Sequence, residues 1–342
     1  MHPTSLYLIA LLMALFLSLA LTPLMRFIAI RWEILDWPHS PVKTHVTPTP
    51  YLGGVAIFLS IVITLLLIRY FTRFQTGTLY ALRGLIVGMV FMLGVGLVDD
   101  VVADGLSFRW KFFFQFLGAI LLMLFGIRIK FIQPDWLSYL VTIVWVVGVT
   151  NSLNLMDIMD GLAASQALVA SLAFLLISLP TEEIYVNFAA TAVAGACLGF
   201  IPYNMSSKRK IFMGDAGSLL LGFSLAALSM GTSYTRVNEV GLFAPLLILG
   251  LPLYDTLFVM VMRIKQGKSP FLGSKDHLAL KLNALGLSRK KVVLLLSSAS
   301  ALVSLCAFLV TRMDFDRSVF IVAGVVVVGM YAAIRLHDVR VS

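Results

Sequence analysis

Charged residues are scarce in this sequence. Asp, Glu, Lys and Arg make up 13% of the 342 residues, 60% are hydrophobic, and the mean hydropathy is +0.96. A soluble domain has about 25% charged residues, so the deficit excludes a cytosolic enzyme and a disordered chain. Cys197 and Cys306 are too few for a secreted disulfide scaffold, and both lie in apolar runs typical of packing residues. Internal repeats and low-complexity linkers are also lacking, so a single domain, 1–342, is the simplest division.

Long apolar runs are abundant instead. A membrane-spanning helix needs about 20 apolar residues, and eleven segments are predicted to span. They cover 6–30, 52–70, 79–98, 112–127, 137–153, 162–179, 186–202, 216–232, 241–262, 291–311 and 318–336. The predicted fold is therefore an all-α, polytopic integral membrane protein with about 11 transmembrane helices.

Basic residues are distributed unequally between the two predicted sides. Of the 26 Lys and Arg, 18 fall on the side that carries the C-terminus and 8 on the other. Cytoplasmic loops carry an excess of positive charge, so the N-terminus is expected outside and the C-terminus in the cytoplasm. The same rule explains the net charge of +9 without nucleic acid, for which no basic arm is present. Four loops are expected to form a cytoplasmic active-site face: 31–51, 99–111, 203–215 and 263–290.

Many of the few acids lie at the cytoplasmic ends of the predicted spans. A carboxylate at the bilayer centre costs about 2.5–3.5 kcal/mol, so their concentration at one interface requires a reason. Asp99 and Asp100 end the third span. Adjacent carboxylates repel each other, so a cation such as Mg²⁺ or a lysine is expected beside them. Lys111 is suited to hold a phosphate, although an interfacial lysine explains it nearly as well.

A second polar group recurs at every third position. Its members are Asn151, Asn154, Asp157 and Asp160. Steps of three residues wind around a continuous helix. These side chains therefore face one pocket only if the helix ends near here, and Gly161 is the predicted break.

Two further groups complete the pattern. Asp215 follows Gly214 at the predicted start of the eighth span, where capping the helix is its commonest use. The long loop after the ninth span contains Asp276, His277 and several lysines. Lys holds phosphate charge and His donates as an imidazolium, so this loop suits a diphosphate. A lone surface histidine usually has no such function.

Together these motifs resemble the polyprenyl-phosphate N-acetylhexosamine-1-phosphate transferases, glycosyltransferase family 4. The resemblance extends from residue 43 to residue 277. Its most specific strings are the ones that begin at Asn154 and at Met213. The matching motifs are Lys43-x-His45-x-x-Pro48-x-Pro50-x-x-Gly53-Gly54, Asp99-Asp100, Lys111 to Gln115, Asn154-x-x-Asp157-x-x-Asp160-Gly161, Met213-Gly214-Asp215-Ala216-Gly217-Ser218, Pro252-x-x-Asp255 and Asp276-His277.

The resemblance implies a reaction. A polyprenyl-phosphate oxygen attacks the β-phosphorus of a UDP-N-acetylhexosamine, with N-acetylglucosamine the first choice, and UMP leaves. The implied cofactor is Mg²⁺, with Mn²⁺ as a substitute. The implied location is the bacterial inner membrane, where lipid-linked polysaccharide synthesis begins, and the implied assembly is a homodimer.

The resemblance also implies roles for individual residues. Asp99 would deprotonate the lipid phosphate, with Asp100 beside it as the second catalytic carboxylate. Asp215 and Asn154 would hold the metal. The implied nucleotide-sugar contacts are Asn151, Asp157, Asp160, Asp276 and His277, and the implied phosphate contacts are Lys43, His45 and Lys111.

The chain departs from the family pattern in two places. Ile158 stands where many relatives carry the first glycine of Asp-Gly-x-Asp-Gly. Leu278, Ala279 and Leu280 follow His277, where the transferases of N-acetylglucosamine phosphate usually carry more histidines. The second departure leaves the sugar open. The lack of a three-histidine string argues against a muramyl-pentapeptide substrate.

Two alternatives come from other classes. A Mg-dependent membrane prenyltransferase uses two Asp-rich helices, which Asp99-Asp100 and Asp157-x-x-Asp160 imitate loosely. A cation-coupled transporter predicts ionisable residues near the bilayer midplane and often an internal repeat. The acids of this chain gather at one interface and no repeat is visible, which favours the transferase.

Overall fold

Thirteen α-helices account for most of the residues that the structure describes. A computed structural model describes residues 3–37, 48–72, 76–102, 105–181, 184–270, 273–339 and 341. The helices are α1 (Pro3–Arg31), α2 (Gly53–Phe71), α3 (Thr76–Val101), α4 (Phe108–Leu124), α5 (Asp135–Met156), α6 (Leu162–Ser178), α7 (Ile184–Asn204), α8 (Gly214–Met230), α9 (Ala244–Ile248), α10 (Gly250–Lys265), α11 (Leu278–Ala284), α12 (Arg289–Val310) and α13 (Phe315–His337). Two short 3₁₀ helices, Leu179–Thr181 and Glu239–Phe243, and two strands, β1 (Leu35–Asp36) and β2 (Thr49–Pro50), complete the described elements.

Seven of the described helices are long and apolar enough to cross a membrane: α1, α2, α3, α5, α7, α12 and α13. The predicted spans 112–127, 162–179 and 216–232 form helices of 17 residues each, at the short end of the spanning range. The predicted span 241–262 bends by 71° between Glu239–Ile248 and α10, which gives up to eight spans if the pair counts as one. The chain is an all-α polytopic membrane protein, and the count of eleven stays a prediction.

Helix α8 lies in the core of the bundle. Every residue from Ala216 to Ser229 is buried, because α2, α3, α5 and α6 all pack against it. A helix that is apolar on every side requires such surroundings. Its first turn, which contains Asp215, therefore lies among the ends of other helices.

A two-stranded antiparallel ladder, which the sequence did not predict, positions the start of α2. Leu35 pairs with Pro50, and Asp36 pairs with Thr49. The main-chain amide of Phe212 then donates to the carbonyl of Pro50 at 2.8 Å, and the amide of Gly53 donates to the carbonyl of Phe212 at 3.0 Å. These bonds attach the beginning of α2 to the segment that leads into α8.

The expected helix break at Gly161 is confirmed. α5 ends at Met156 and α6 begins at Leu162, with Gly161 between them at a φ of +81°. Side chains other than glycine rarely adopt this left-handed conformation. Its amide donates to the side chain of Asn204 at the end of α7, so the break is also tied to a neighbouring helix. The predicted helix start beside Asp215 is confirmed as well, since α8 begins one residue earlier.

The segment 263–290, predicted as a long aqueous loop, contains more helix than expected. α10 continues to Lys265, and α11 occupies 278–284. Leu278 and Ala279 are buried at 3% and 2% exposure. Leu278 belongs to a buried apolar cluster that includes Phe258, and Ala279 belongs to another that includes Met159. The apolar residues that follow His277 are therefore core residues of a short helix.

Candidate active site

The end of α3 lies against the start of α8. Oδ1 of Asp100 accepts a hydrogen bond from the amide of Asp215 at 2.8 Å, and Oδ2 accepts one from the amide of Ala216 at 3.1 Å. Unpaired amides and a partial positive charge make a helix N-terminus favourable for a carboxylate. Asp100 thus caps α8 from a different helix. This contact requires Gly96, where an added Cβ would lie only 2.3 Å from the Cα of Ala216.

Asp99, the neighbour of this capping residue, meets a lysine. Nζ of Lys111 lies 2.7 Å from Oδ2 of Asp99 and also binds Oδ2 of Asp215. The other oxygen of Asp99 accepts from the amide of Leu106 at 2.6 Å. Three helices therefore bring two carboxylates and one ammonium together. Asp99 is 8% exposed, whereas Lys111 and Asp215 are 21% and 28% exposed, so the cluster opens on the lysine side.

Asn154, on the last turn of α5, contributes an amide to this cluster. Its Nδ2 donates to Oγ of Ser218 at 2.8 Å, and its side chain also interacts with Asp215. Asn151 lies one turn earlier, where its amide pairs with Gln115 of α4 and donates to the carbonyl of Val147 at 3.0 Å. The structure therefore places Asn154 at the carboxylates and gives Asn151 a partner on another helix.

The break between α5 and α6 carries two further acids. Asp160 forms an ion pair with Lys210, 2.6 Å between Oδ2 and Nζ, and this ammonium also lies 4.9 Å from the ring centre of Phe212. Burial, together with the negative charges of Asp215 and Asp160, raises the pKa of Asp157 to about 8. Because the charge of Asp215 acts on Asp157, the break lies close to the Asp99–Lys111–Asp215 cluster.

His277, predicted in an exposed loop, is buried at 3% exposure. Nδ1 of His277 lies 2.7 Å from Oδ2 of Asp255 in α10, and Oδ1 of Asp255 accepts from the amide of Leu278 at 2.7 Å. The carboxylate therefore fixes both the imidazole ring and the first turn of α11. The neighbouring side chain of Asp276 has a different partner, since its Oδ2 accepts a hydrogen bond from Oγ of Ser274 at 2.7 Å.

The predicted phosphate ligands Lys43 and His45 lie outside the described residues. The flanking chain is described, and it reaches the site through Tyr51. Its hydroxyl donates to the main-chain carbonyl of Asp100 at 2.7 Å. Burial raises the pKa of Tyr51, as do the charges of Asp100 and Asp36.

Several contacts around the candidate site had no sequence signal strong enough to find them. Lys210 stands in a run of three basic residues that topology alone explains, and only the structure pairs it with Asp160. Asn204 ends an apolar helix, yet its Oδ1 accepts a hydrogen bond from the amide of Gly161, and its Nδ2 donates to the carbonyl of Ile211 at 2.9 Å. Tyr51 belongs to no charged motif. Proximity to Gly53-Gly54 was its only clue.

The available ligands were compared with the needs of Mg²⁺. In the described part of the chain, no group of three or more His, Cys, Asp or Glu side chains forms a metal cage. Mg²⁺ usually binds through one or two carboxylates together with waters and substrate phosphates. Asp215 and Asp99 offer carboxylate oxygens around an existing cation, Lys111, and the side-chain amide of Asn154 lies beside Asp215. The donors therefore fit a metal that arrives with a diphosphate.

The fold and these contacts define a class of protein. It is a polytopic membrane protein whose polar centre lies at helix ends and combines carboxylates with an ammonium. Such a centre suits the handling of phosphate groups, because Lys neutralises phosphate and paired carboxylates accept protons or cations.

Comparison with known proteins identifies the family. A model described as glycosyl transferase family 4 matches residues 82–233, a range that includes Asp99, Lys111, Asn154 and Asp215. The chain is 30% identical over 323 residues to a "Probable undecaprenyl-phosphate N-acetylglucosaminyl 1-phosphate transferase" of Bacillus subtilis (strain 168), covering 92% of this chain and 87% of that protein. The chain belongs to glycosyl transferase family 4.

Two other relatives differ in how much of the chain they match. A "Decaprenyl-phosphate N-acetylglucosaminephosphotransferase" of Mycobacterium tuberculosis (strain ATCC 25618 / H37Rv) is 32% identical over 303 residues, 79% of this chain and 74% of that protein. A "Phospho-N-acetylmuramoyl-pentapeptide-transferase" of Limosilactobacillus reuteri (strain DSM 20016) is 36% identical over 198 residues, 53% of this chain and 60% of that protein. The similarity to the N-acetylglucosamine-type relatives is thus the more extensive.

Proposed function

We propose that this chain transfers N-acetylglucosamine-1-phosphate, or a closely related N-acetylhexosamine-1-phosphate, from its UDP-linked form to polyprenyl phosphate. An oxygen of the lipid phosphate forms a bond to the β-phosphorus of the donor. The bond from that phosphorus to the bridging oxygen breaks, and UMP leaves with this oxygen. The product is a polyprenyl-diphospho-sugar, the first intermediate of a lipid-linked cell-envelope polysaccharide.

The observation that carries the proposal is the ammonium of Lys111 held between Asp99 and Asp215. Phosphoryl transfer needs positioning and charge neutralisation more than covalent chemistry. Lys111 exchanges its carboxylate partners for phosphate oxygens when substrates bind. Asp99 accepts the proton of the lipid phosphate, while the amide of Leu106 holds its other oxygen in place.

The remaining residues bind the donor. Asp215 and Asn154 would hold Mg²⁺, for which Mn²⁺ would substitute, and the metal would neutralise diphosphate charge. The donor contacts follow the predicted assignments: Asn151, Asp157, Asp160, Asp276 and His277 for the nucleotide sugar, with Lys43 and His45 for its phosphates. The carboxylate of Asp100 accepts two amides of α8, which supports a role in positioning Asp215, and its catalytic role stays a prediction.

A donor panel tests the function. The purified protein is mixed with polyprenyl phosphate and either UDP-GlcNAc, UDP-GalNAc or UDP-MurNAc-pentapeptide, and UMP release is measured with Mg²⁺, Mn²⁺ or EDTA. We expect release from UDP-GlcNAc with either metal and none with EDTA or with the pentapeptide donor. Failure to release UMP from every UDP-N-acetylhexosamine would refute the proposed reaction, and activity in EDTA would refute the metal.

The proposed location is the bacterial inner membrane, with the active site facing the cytoplasm, as the distribution of Lys and Arg indicates. Single cysteines test it in a chain in which Cys197 and Cys306 are replaced by alanine. A membrane-impermeant maleimide applied to intact spheroplasts should label Arg236→Cys and leave Arg209→Cys unlabelled. The reverse pattern would contradict this orientation. The homodimer stays a prediction of the family resemblance, and the mass of the purified protein in detergent tests it.

A further inference from the structure

Lys281 is a buried lysine outside the cluster around Asp99. Its side chain is 1% exposed. Nζ donates to the main-chain carbonyl of Val339 at 2.8 Å and to that of His337 at 3.4 Å. It also lies 3.7 Å from Oδ1 of Asp276 and 5.5 Å from the ring centre of Phe258. Because an unpaired buried ammonium is strongly unfavourable, these contacts are what permit its burial.

The principal partners of Lys281 are carbonyls at the end of α13. The last carbonyls of a helix lack amide partners and carry partial negative charge, so a cation stabilises them. α13 needs such attachment, since none of its apolar spanning segment is buried. Its C-terminal half is held where Tyr254 donates to the carbonyl of Gly329 at 2.7 Å and where Leu336 packs against the cluster that contains Leu278.

Lys281 connects this tail to the predicted donor-binding residues. It lies one turn into α11, and its amide donates to the carbonyl of His277 at 3.0 Å. Its ammonium faces Asp276. The tail also lines a cavity of about 680 Å³, whose lining includes Arg263 and Asp276. Immobilising Lys281 therefore fixes the turn that presents Asp276 and His277.

We propose that Lys281 and the main chain of 337–339 form a clamp that positions the Asp276–His277 turn for nucleotide-sugar binding. Lys281 acts as a positioning residue and makes no contact with the reacting atoms. The inference rests on the proposed function for its kinetic consequence, whereas the clamp itself is a property of the fold. It assigns the end of α13 a role in donor binding.

The experiment uses the intact chain and five variants, one of them the conservative Lys281→Arg. Lys281→Met removes the ammonium, deletion of residues 339–342 removes an acceptor, and a double variant combines the two changes. Lys290→Met, at an exposed lysine of α12, is the matched control. KM and kcat for UDP-GlcNAc are measured with saturating polyprenyl phosphate, and hydrogen–deuterium exchange is followed in α11.

We expect Lys281→Met and the deletion each to raise KM about tenfold, as expected for loss of a charge-assisted hydrogen bond, with kcat unchanged. Both should speed exchange in α11, and the control should change neither. Because both changes break one contact, the double variant should be no worse than the more impaired single variant. Lys281→Arg should restore part of the loss.

Three outcomes would overturn the clamp: unchanged exchange in α11, additive effects in the double variant, or faster exchange with an unchanged KM. If the wild-type protein releases no UMP, the proposed function fails, while exchange in α11 still tests the clamp. If the Lys281→Met protein does not fold, the deletion of residues 339–342 is the milder change, and the same measurements on it test the clamp.

Discussion

The carboxylate of Asp100 accepts a hydrogen bond from the main-chain amide of Asp215, with 2.8 Å between Oδ1 and the nitrogen. The side chain of Asp215 meanwhile binds Lys111. Adjacent acids at the end of α3 thus have different partners: Asp99 contacts the ammonium, and Asp100 holds the helix that presents Asp215. This division of roles leads to a first prediction.

Asp100→Asn should retain one acceptor oxygen and lose the other. We expect it to lower the free energy of unfolding by about 1 kcal/mol, as for loss of a helix cap, and to lower turnover about tenfold through displacement of Asp215. Asp99→Asn and Asp215→Asn should each lower turnover by orders of magnitude in a folded protein. Thermal melts and UMP release measure both quantities. Equal losses of turnover in all three variants would contradict the separate role of Asp100.

Gly96→Ala should separate α3 from α8. An added Cβ would meet the main-chain atoms of Ala216 at 2.3 and 2.4 Å, and main chain yields less easily than a side chain. We expect a loss of stability of about 1–3 kcal/mol, as for overpacking of a core. Gly94→Ala is the matched control two residues away, since an added Cβ there would meet nothing within 4 Å apart from its chain neighbours and the backbone of its own helix. The prediction is wrong if the two variants melt at the same temperature.

Lys111→Met should leave Asp99 and Asp215 without the charge between them. We expect at least about a hundredfold loss of turnover, because the site then lacks its cation for substrate phosphate. Lys111→Arg should retain part of the activity. The exposed neighbour Arg109 provides the control variant Arg109→Met, which should remain active. Initial rates at saturating substrates measure these effects. An active Lys111→Met protein would refute the proposed role of the lysine in neutralising substrate phosphate.

A double-mutant cycle tests the pair of Asp160 and Lys210. Both side chains are about one quarter exposed, so solvent screens the pair and we expect a coupling energy of only about 0.5–1 kcal/mol. The variants are Asp160→Asn, Lys210→Met and their combination, with Lys208→Met as the exposed control. Unfolding free energies in detergent give the coupling. Strict additivity would show that the ion pair contributes nothing to the fold.

Asp157 predicts a dependence of stability on pH. Its folded pKa of about 8 lies above the ordinary value of an aspartate, so the folded protein binds the proton more tightly than the unfolded chain. Stability should therefore fall as the pH rises from about 4 to about 8. Asp157→Asn should lose part of this slope and melt at a higher temperature than the wild type at pH 8. An identical pH slope in both proteins would refute this account.

Sequence and structure agree most closely where the signal is local. The break at Gly161 followed from a polar period of three that no continuous helix could direct to one side, and the structure ends α5 at Met156. The start of α8 beside Asp215 followed from the Gly-Asp boundary. By contrast, the buried imidazole of His277 is paired with Asp255, which lies 22 positions earlier in the chain. A local sequence pattern cannot predict a contact between residues so far apart.

The sequence by itself determined that this is a helical membrane protein with acids concentrated at helix ends, because apolar length and the energetic cost of buried charge act on each segment separately. It also carried the motifs of its family. Only the tertiary structure decided which acid pairs with which cation. Lys111 pairs with acids of α3 and α8, and Lys210 pairs with an acid in the break between α5 and α6. Lys281 donates to main-chain carbonyls at the end of α13. Those choices depend on how helices distant in the chain pack together.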